Sequence, residues 1–489
     1  MSTSSPRVAY IHSEELIAAS NALPANVGRH RLAHELIRAH GLLELGDEAA
    51  EDDELEQEGQ ARAYVVEPEA ATREQLVRFH DERFINTLLG LDTAASDSES
   101  DSGSASDSSS PAKPTPASFR LVSEEDRPTK RRKVDDMGLE DDCPMFSELS
   151  DYVQLVAGAS IQAARELRDG SADVAIAWTG GRHHGKRGEA AGFCYVQDVV
   201  LAILELRLPP KPPPLPSRSP SPSSPNSRTS PAPYPPPIPS LTPIRRVLYL
   251  DIDLHHGDGV ESAFYTSAHT LTLSLHLHAP LFYPSTGSLS STGPTPPKGA
   301  FKPSPAAHHA LNLALHPGLS SPTLLRLFES CVQPIYEIYQ PDAVVLQCGC
   351  DGLAGDPCKE WNLDLEGMGE VVKRVVHGWG KKTLLLGGGG YDNANAARCW
   401  TYLTSVALNQ PLSLDNPIPP SLEPDDYARF APSFTLDVPA GHKLDLNTEA
   451  RIVEVEEAFK RYAQALEEKY GKRKMDELEG KGAGPSEEL

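Results

Sequence analysis

Five short apolar runs alternate along this chain with longer stretches in which apolar residues recur every three or four positions. The runs are VAIAW (174–178), RRVLYLDIDL (245–254), HTLTLSLHL (269–277), DAVVLQCG (342–349) and KTLLLGGG (382–389). Their apolar character is nearly continuous, which predicts strands buried on both faces. The longer stretches predict helices over 26–43, 72–90, 149–168, 197–207, 321–339, 365–379, 393–409 and 448–471. Strands alternating with helices predict an α/β fold: a single domain whose central, mostly parallel β-sheet is flanked by helices. Ligands in such sheets bind beyond the carboxyl ends of the strands, so the chemistry is sought there.

Two tracts break the pattern. Residues 92–137 carry SDSESDSGSASDSSS followed by RPTKRRKVDD, and residues 209–243 hold 16 prolines in 35 positions. Neither can bury enough apolar area to offset its ordering entropy, so both are predicted to be mobile insertions in a domain spanning 6–475. The end of the chain, 476–489, is predicted to be a disordered tail. No internal repeat is apparent.

Charge and cysteine content narrow the function classes. Sixty-nine acidic against 45 basic side chains leave a formal net charge of −24, with eight acids and no base in 46–58. An acidic surface argues against direct nucleic-acid binding and against membrane binding, and favours basic partners. Seven scattered cysteines (143, 194, 331, 348, 350, 358 and 399) suit reduced thiols rather than a disulfide framework. There is no signal-peptide core at the start, and no apolar run approaches the ~20 residues of a membrane span, so a soluble intracellular protein is predicted.

Ionisable residues gather where the predicted strands end. VAIAW is followed by TGGRHHGK with His183 and His184, VLYL by DIDLHHGD, VVLQCG by Asp351, and LLL by GGGGYD with Tyr391. Continued strand alternation would put Asp251, Asp253 and His255 on one face. Five ionisable groups closing an apolar strand are costly to desolvate unless paired or bound to a metal. Asp253, His255 and Asp351 form a donor set with an open position for water, the layout of a catalytic zinc centre. The oxygen-rich set also suits iron(II). Asp251 and Asp258 are left to orient one imidazole each. Taken singly, each Asp could be a helix cap and the HH pair a surface feature; their coincidence at four strand ends argues otherwise.

The blocks WTGGRHHGKRGEAAGFCYVQD, LYLDIDLHHGDGVESAF, VVLQCGCDGLAGDP and LLLGGGGYDNANAARCWTYLT resemble those of the class I histone deacetylases. The GDP and NANAARCW details are most similar to the histone deacetylase 8 branch. The resemblance implies an arginase/deacetylase-type fold and hydrolysis of acetyl-lysine to lysine and acetate, with acetylated histone or other basic protein tails as substrates. It matches Asp253, His255 and Asp351 to zinc ligands, and His183 and His184 to active-site histidines oriented by Asp251 and Asp258. His184 would be general base and then acid, and Tyr391 would hydrogen-bond the substrate carbonyl. Gly192, Phe193 and Tyr283 match walls of a tunnel for the lysine stem, and Asp142 matches a rim residue that grips the substrate backbone. Arg29 matches an arginine of an internal acetate channel. Asp251, Asp253, His255, Ser274 and Leu275 correspond to a structural potassium site.

The sequence departs from this pattern at several positions. Tyr283 stands for a phenylalanine and puts a hydroxyl at the tunnel wall. Arg182 stands for a tryptophan or leucine, near enough to the internal cavity to attract acetate or else to reach solvent. Gly185 and Gln197 stand for alanine and asparagine, with no mechanism attached. Pro357 replaces a basic residue with which relatives bind inositol phosphate, which argues against obligate assembly in a corepressor complex. PTKRRKV (128–134) reads as a nuclear localisation signal, with the cytoplasm as the alternative site. The insertions offer sites for kinases and a docking run for SH3 or WW readers. Three other functions fit parts of the sequence. A two-metal arginase-type hydrolase would want an acid at position 257, where Gly257 stands; the others are a deacetylase of polyamines or other small acetylated amines, and a non-catalytic nuclear scaffold.

Overall fold

The computed structural model describes residues 5–44, 61–91, 137–210, 242–294 and 304–480, with side chains to 471. The acidic run at 46–58, the basic run at 128–134, the Ser/Asp and proline tracts and the final nine residues lie outside it, or nearly so. One sheet organises the chain. Its strands are β1 (Val8–Ile11), β2 (Tyr64–Val66), β3 (Val174–Ala177), β4 (Val247–Asp251), β5 (Thr270–Leu277), β6 (Ala310–Leu315), β7 (Ala343–Gln347) and β8 (Lys382–Leu386). They lie in the order β2-β1-β3-β8-β7-β4-β5-β6, and every pairing is parallel.

The continuous apolar runs have a simple cause. Leu248, Leu250, Leu346 and Leu385 enter the core on one face, while Val247, Tyr249, Val345, Leu384 and Leu386 enter the core on the other. Period-2 alternation therefore buries both faces of the central strands, with only the edge strand β2 reaching water at Val65, and each fully buried Leu or Val contributes roughly 1.5–3 kcal/mol. Helices Arg29–Ala39, Asn393–Ala407, Leu365–Lys373 and Glu449–Gly480 cover the first face; Leu149–Arg168 and Asp198–Leu206 cover the second. Asp392 starts the helix behind β8 by accepting the Asn395 backbone N–H at 2.8 Å, a standard N-cap.

The sheet has eight strands where five were predicted; β1, β2 and β6 are added. The helix expected over 72–90 is two, Arg73–Leu76 and Glu82–Leu88, and the last helix runs nine residues past 471. The helices at 321 and 365 each change to π geometry, at Phe328–Val332 and Arg374–Gly378. Among the described residues, no helix is long and apolar enough to cross a membrane.

Candidate active site

Four adjacent strands, β3-β8-β7-β4, end side by side at the centre of the sheet. Beyond their carboxyl ends lie His183 and His184 (after β3), Tyr391 (after β8), Asp351 (after β7), and Asp253, His255 and Asp258 (after β4). Strand β4 itself stops at Asp251, so alternation does not carry Asp253 and His255 inward as expected. A turn does so: Asp251 Oδ1 accepts the Asp253 N–H at 3.1 Å, and Asp253 Oδ1 accepts the His255 N–H at 2.9 Å. Each carboxylate thereby fixes the backbone two residues on, as Asx turns do.

Three oxygen and nitrogen donors converge. His255 Nδ1 lies 2.9 Å from Asp351 Oδ2 and 3.3 Å from Asp253 Oδ1. The other carboxylate oxygens are held by the fold. Asp351 Oδ1 accepts the Leu254 N–H at 2.9 Å, and Asp253 Oδ2 accepts the Gln347 amide at 2.9 Å and the Gly389 N–H at 2.8 Å. Glycine is required at 389, since a Cβ would stand 2.3 Å from Asp351 Oδ2. All three groups are buried. Burial and the charge of Asp253 push Asp351 up to about 7, while the two carboxylates outweigh burial and raise His255 to about 10. The site thus demands positive charge, and the set fits a divalent cation with N/O preference. Cys358 also approaches His255 and Asp351, with all three donor atoms within 4.8 Å of one another. Its thiol is pushed up by burial. A neutral thiol is a poor ligand, so Asp253 is the better third donor.

The two histidines are anchored differently. His183 Nδ1 bonds Asp251 Oδ2 at 2.8 Å, and that oxygen also accepts the Tyr249 hydroxyl at 2.6 Å. His184 Nδ1 bonds Asp258 Oδ1 at 2.8 Å, at the start of helix Asp258–Phe264. Burial opposes protonation of His183, but Asp253 and Asp251 outweigh it and raise the imidazole to about 9. Burial and the neighbouring His183 push His184 down to about 3. The pair is split into one charged and one neutral ring, the division expected where an acid and a base work together. Tyr391 is held well above the ordinary tyrosine range by burial and by Asp351 and Asp253, so its phenol stays protonated.

The remaining expected residues surround this centre. Gly192 has φ 54°, and a Cβ there would lie 2.5 Å from the His184 ring. The Tyr283 ring lies 4.9 Å from His184 and the Phe193 ring 5.9 Å from Tyr391. Exposed Asp142 accepts the Gly192 N–H at 2.8 Å. Arg29 donates to the Gly390 carbonyl at 2.7 Å and stacks over Trp400. Ser274 pairs with Asp251 in the sheet register, its hydroxyl 3.0 Å from His276 Nδ1, and Leu275 is core. Arg182 does not reach solvent: it is 3 % exposed and donates to the Thr179 carbonyl at 2.9 Å.

Sequence reasoning missed the supports. Gln197 donates to the carbonyls of His183 (3.1 Å) and Gly185 (2.7 Å), clipping the histidine turn. Asp356 accepts the Tyr391 N–H at 2.7 Å and the Cys358 N–H at 2.9 Å. Gln347 had a visible signal, being the single polar residue within an apolar strand; Gln197 stood out only as a replacement for asparagine, and Asp356 had no signal beyond its own polarity.

Comparison with known proteins agrees with this geometry. Residues 25–211 and 240–407 match the histone deacetylase domain family. Histone deacetylase 8 of Danio rerio is 32% identical over 440 residues, covering 90% of each chain. Histone deacetylase 8 of Xenopus tropicalis is 31% identical over 92% of this chain and 96% of its own. Histone deacetylase 9 of Arabidopsis thaliana is 39% identical over 64% of this chain and 62% of its own.

Proposed function

The chain belongs to the histone deacetylase family, whose members are hydrolases, and from that premise we propose that it cleaves acetyl-lysine in basic protein tails, histone tails among them. The observation that carries the reading is the meeting of the Asp253–His255–Asp351 donor set with the His184–Asp258 pair and Tyr391 beyond four adjacent strands. Those three donors would hold zinc, with iron(II) as the alternative, and a divalent ion there supplies Lewis acidity toward the amide carbonyl. Potassium would sit at Asp251, Asp253, His255, Ser274 and Leu275.

The chain's own groups then divide the work. Asp258 occupies His184 Nδ1, which leaves Nε2 to take a proton from the attacking water. The same atom returns it to the departing lysine amine. His183, anchored by Asp251, supplies electrostatic stabilisation beside the developing oxyanion, and the Tyr391 hydroxyl donates to that oxygen. Gly192, Phe193 and Tyr283 flank the lysine stem, and Asp142 lies where a substrate backbone enters. The net charge of −24 supports basic partners. A nuclear location is supported by the similarity to proteins named histone deacetylases and by the basic run at 128–134.

The test compares an acetyl-lysine histone-tail peptide with an acetylated polyamine, for the zinc-loaded wild type and Tyr391→Phe. We expect turnover of the peptide that falls about 10²–10³-fold in the variant, the usual cost of one lost oxyanion donor. Turnover of the polyamine alone would move the substrate to small amines. Full activity in Tyr391→Phe would remove the proposed role of the tyrosine.

A further inference from the structure

One thiol lies closer to the metal donors than the chemistry proposed above requires. Cys358 is half-buried. Its sulfur, a ring nitrogen of His255 and a carboxylate oxygen of Asp351 all lie within 4.8 Å of one another. Two donor triads therefore share the His255–Asp351 edge, with Asp253 completing one and Cys358 the other.

The fold brings this thiol to the site by a series of turns after β7. The Leu353 N–H donates to the Cys350 carbonyl at 3.1 Å, the Asp356 N–H to the Leu353 carbonyl at 3.2 Å, and the Lys359 N–H to the Asp356 carbonyl at 2.9 Å. Asp356 then pins the segment: its Oδ1 accepts the Cys358 N–H at 2.9 Å and its Oδ2 accepts the Tyr391 N–H at 2.7 Å. Two neighbouring thiols are engaged with backbone, Cys194 donating to the Gly192 carbonyl and Cys350 to the Gly389 carbonyl, each at 3.4 Å. The surroundings of the Cys358 sulfur are instead the carboxylates of Asp351, Asp356 and Asp253. A sulfur among three carboxylates and an imidazole is a place for a cation.

The chemistry of a fourth donor follows from its softness. Three protein ligands leave a zinc centre open, and a fourth closes it. A small turn of the thiol about its Cα–Cβ bond brings it within reach of an ion held by His255 and Asp351. A thiol that binds a divalent ion is deprotonated outright, and its proton passes to solvent. Oxygen and nitrogen donors alone accept zinc or iron(II), whereas a thiolate favours zinc.

We propose that Cys358 is a fourth protein ligand of the metal in the substrate-free chain, that it selects zinc over iron(II), and that it leaves the ion when a substrate carbonyl takes its position. The inference rests on the hydrolase reading above. The exchange is redox-neutral: the S–H proton goes to solvent as the sulfur binds, and the sulfur takes a proton back as it leaves.

The experiment uses full-length protein, stripped of metal and reloaded under anaerobic conditions with cobalt(II), zinc or iron(II), as wild type, Cys358→Ala and Cys194→Ala. Melting curves check that each variant folds. Sulfur ligation to cobalt(II) gives a charge-transfer band in the near ultraviolet. We expect that band in the wild type and in Cys194→Ala, its loss in Cys358→Ala, and its weakening when the acetyl-lysine histone-tail peptide is added. The ratio of zinc to iron(II) affinity is expected to fall at least about tenfold in Cys358→Ala. Cobalt bound without the band in the wild type, a band that persists in Cys358→Ala, a band that the peptide does not weaken, or an unchanged affinity ratio overturns the proposal and leaves the three-donor hydrolase reading standing. A wild type that binds none of these ions removes that reading, and the thiol ligand with it.

Discussion

Gln197 carries a larger share of the site than its position suggests. Its side-chain amide is the link between the carbonyls of His183 and Gly185, and its backbone N–H donates to His80 Nε2 at 3.0 Å. In Gln197→Ala both carbonyls lose a buried donor, at about 1–3 kcal/mol for each group left unsatisfied. The expected outcome is a lower denaturation midpoint together with a fall in kcat, since the imidazoles are no longer held in place; a fall in stability with kcat unchanged would show the clip to be structural only. The ionisable residues were legible because five charged or titratable groups at the end of an apolar strand have few inexpensive arrangements. Gln197 and Asp356 were not, because what they hold is backbone, carbonyls for Gln197 and N–H groups for Asp356, and a backbone group leaves no trace in composition. Arg182 was read ambiguously for a related reason: a long cationic side chain can snorkel outward, and only the packing around His30 and Thr179 decides that it does not.

At the level of elements, helix Asp198–Leu206 is fastened at both ends. Asp198 holds the backbone of Gly181 and Arg182. Near the other end, buried Glu205 pairs with Arg78 (2.6 Å), Arg165 (3.3 Å) and Arg168. Replacing Glu205 by Gln leaves three cations around a neutral amide. We expect a loss of about 3 kcal/mol, the lower end of the cost of breaking a buried pair, read from urea unfolding; a change below half a kcal/mol would show that solvent already compensates these charges. Strands β3, β4, β7 and β8 were legible because nearly continuous apolar runs bounded by turns have few other readings, and β5, TLTLSLHL, because its leucines recur with period 2. Strand β6, ALNLAL, was missed because Ala and Leu are strong helix formers. Its strand state comes from pairing with β5 over six residues. Strands β1 and β2 have four and three residues, too short for periodicity to speak.

The whole molecule stores several histidines in a neutral, buried state. Burial lowers His80, His40 and His309 to about 4, and lowers His34, aided by His12, to about 3. A histidine depressed in the folded state contributes its full stability above the unfolded value near 6.5, and that contribution is lost as pH falls toward 4, because only the unfolded chain takes up the proton. For His80 alone the difference corresponds to about 3 kcal/mol. The expected outcome is a denaturation midpoint that declines steeply between pH 6.5 and 4; a midpoint flat over that window would contradict the burial of these rings. The architecture as a whole was legible from the alternation of element types, and its site from the rule that chemistry gathers beyond the carboxyl ends of parallel strands. Which strands are neighbours was not legible, since the order β3-β8-β7-β4 joins segments about 40 to 210 residues apart. That order is what brings Asp253, His255 and Asp351 together, so the metal site is the central claim. The most direct measurement titrates zinc into chelated full-length protein while following deacetylation of an acetyl-lysine histone-tail peptide, with Asp253→Ala in parallel. Activity that appears with zinc, saturates at one ion per chain and is absent from the variant is the expected result. Activity that survives chelation, or a wild-type chain that binds no ion, would contradict the account.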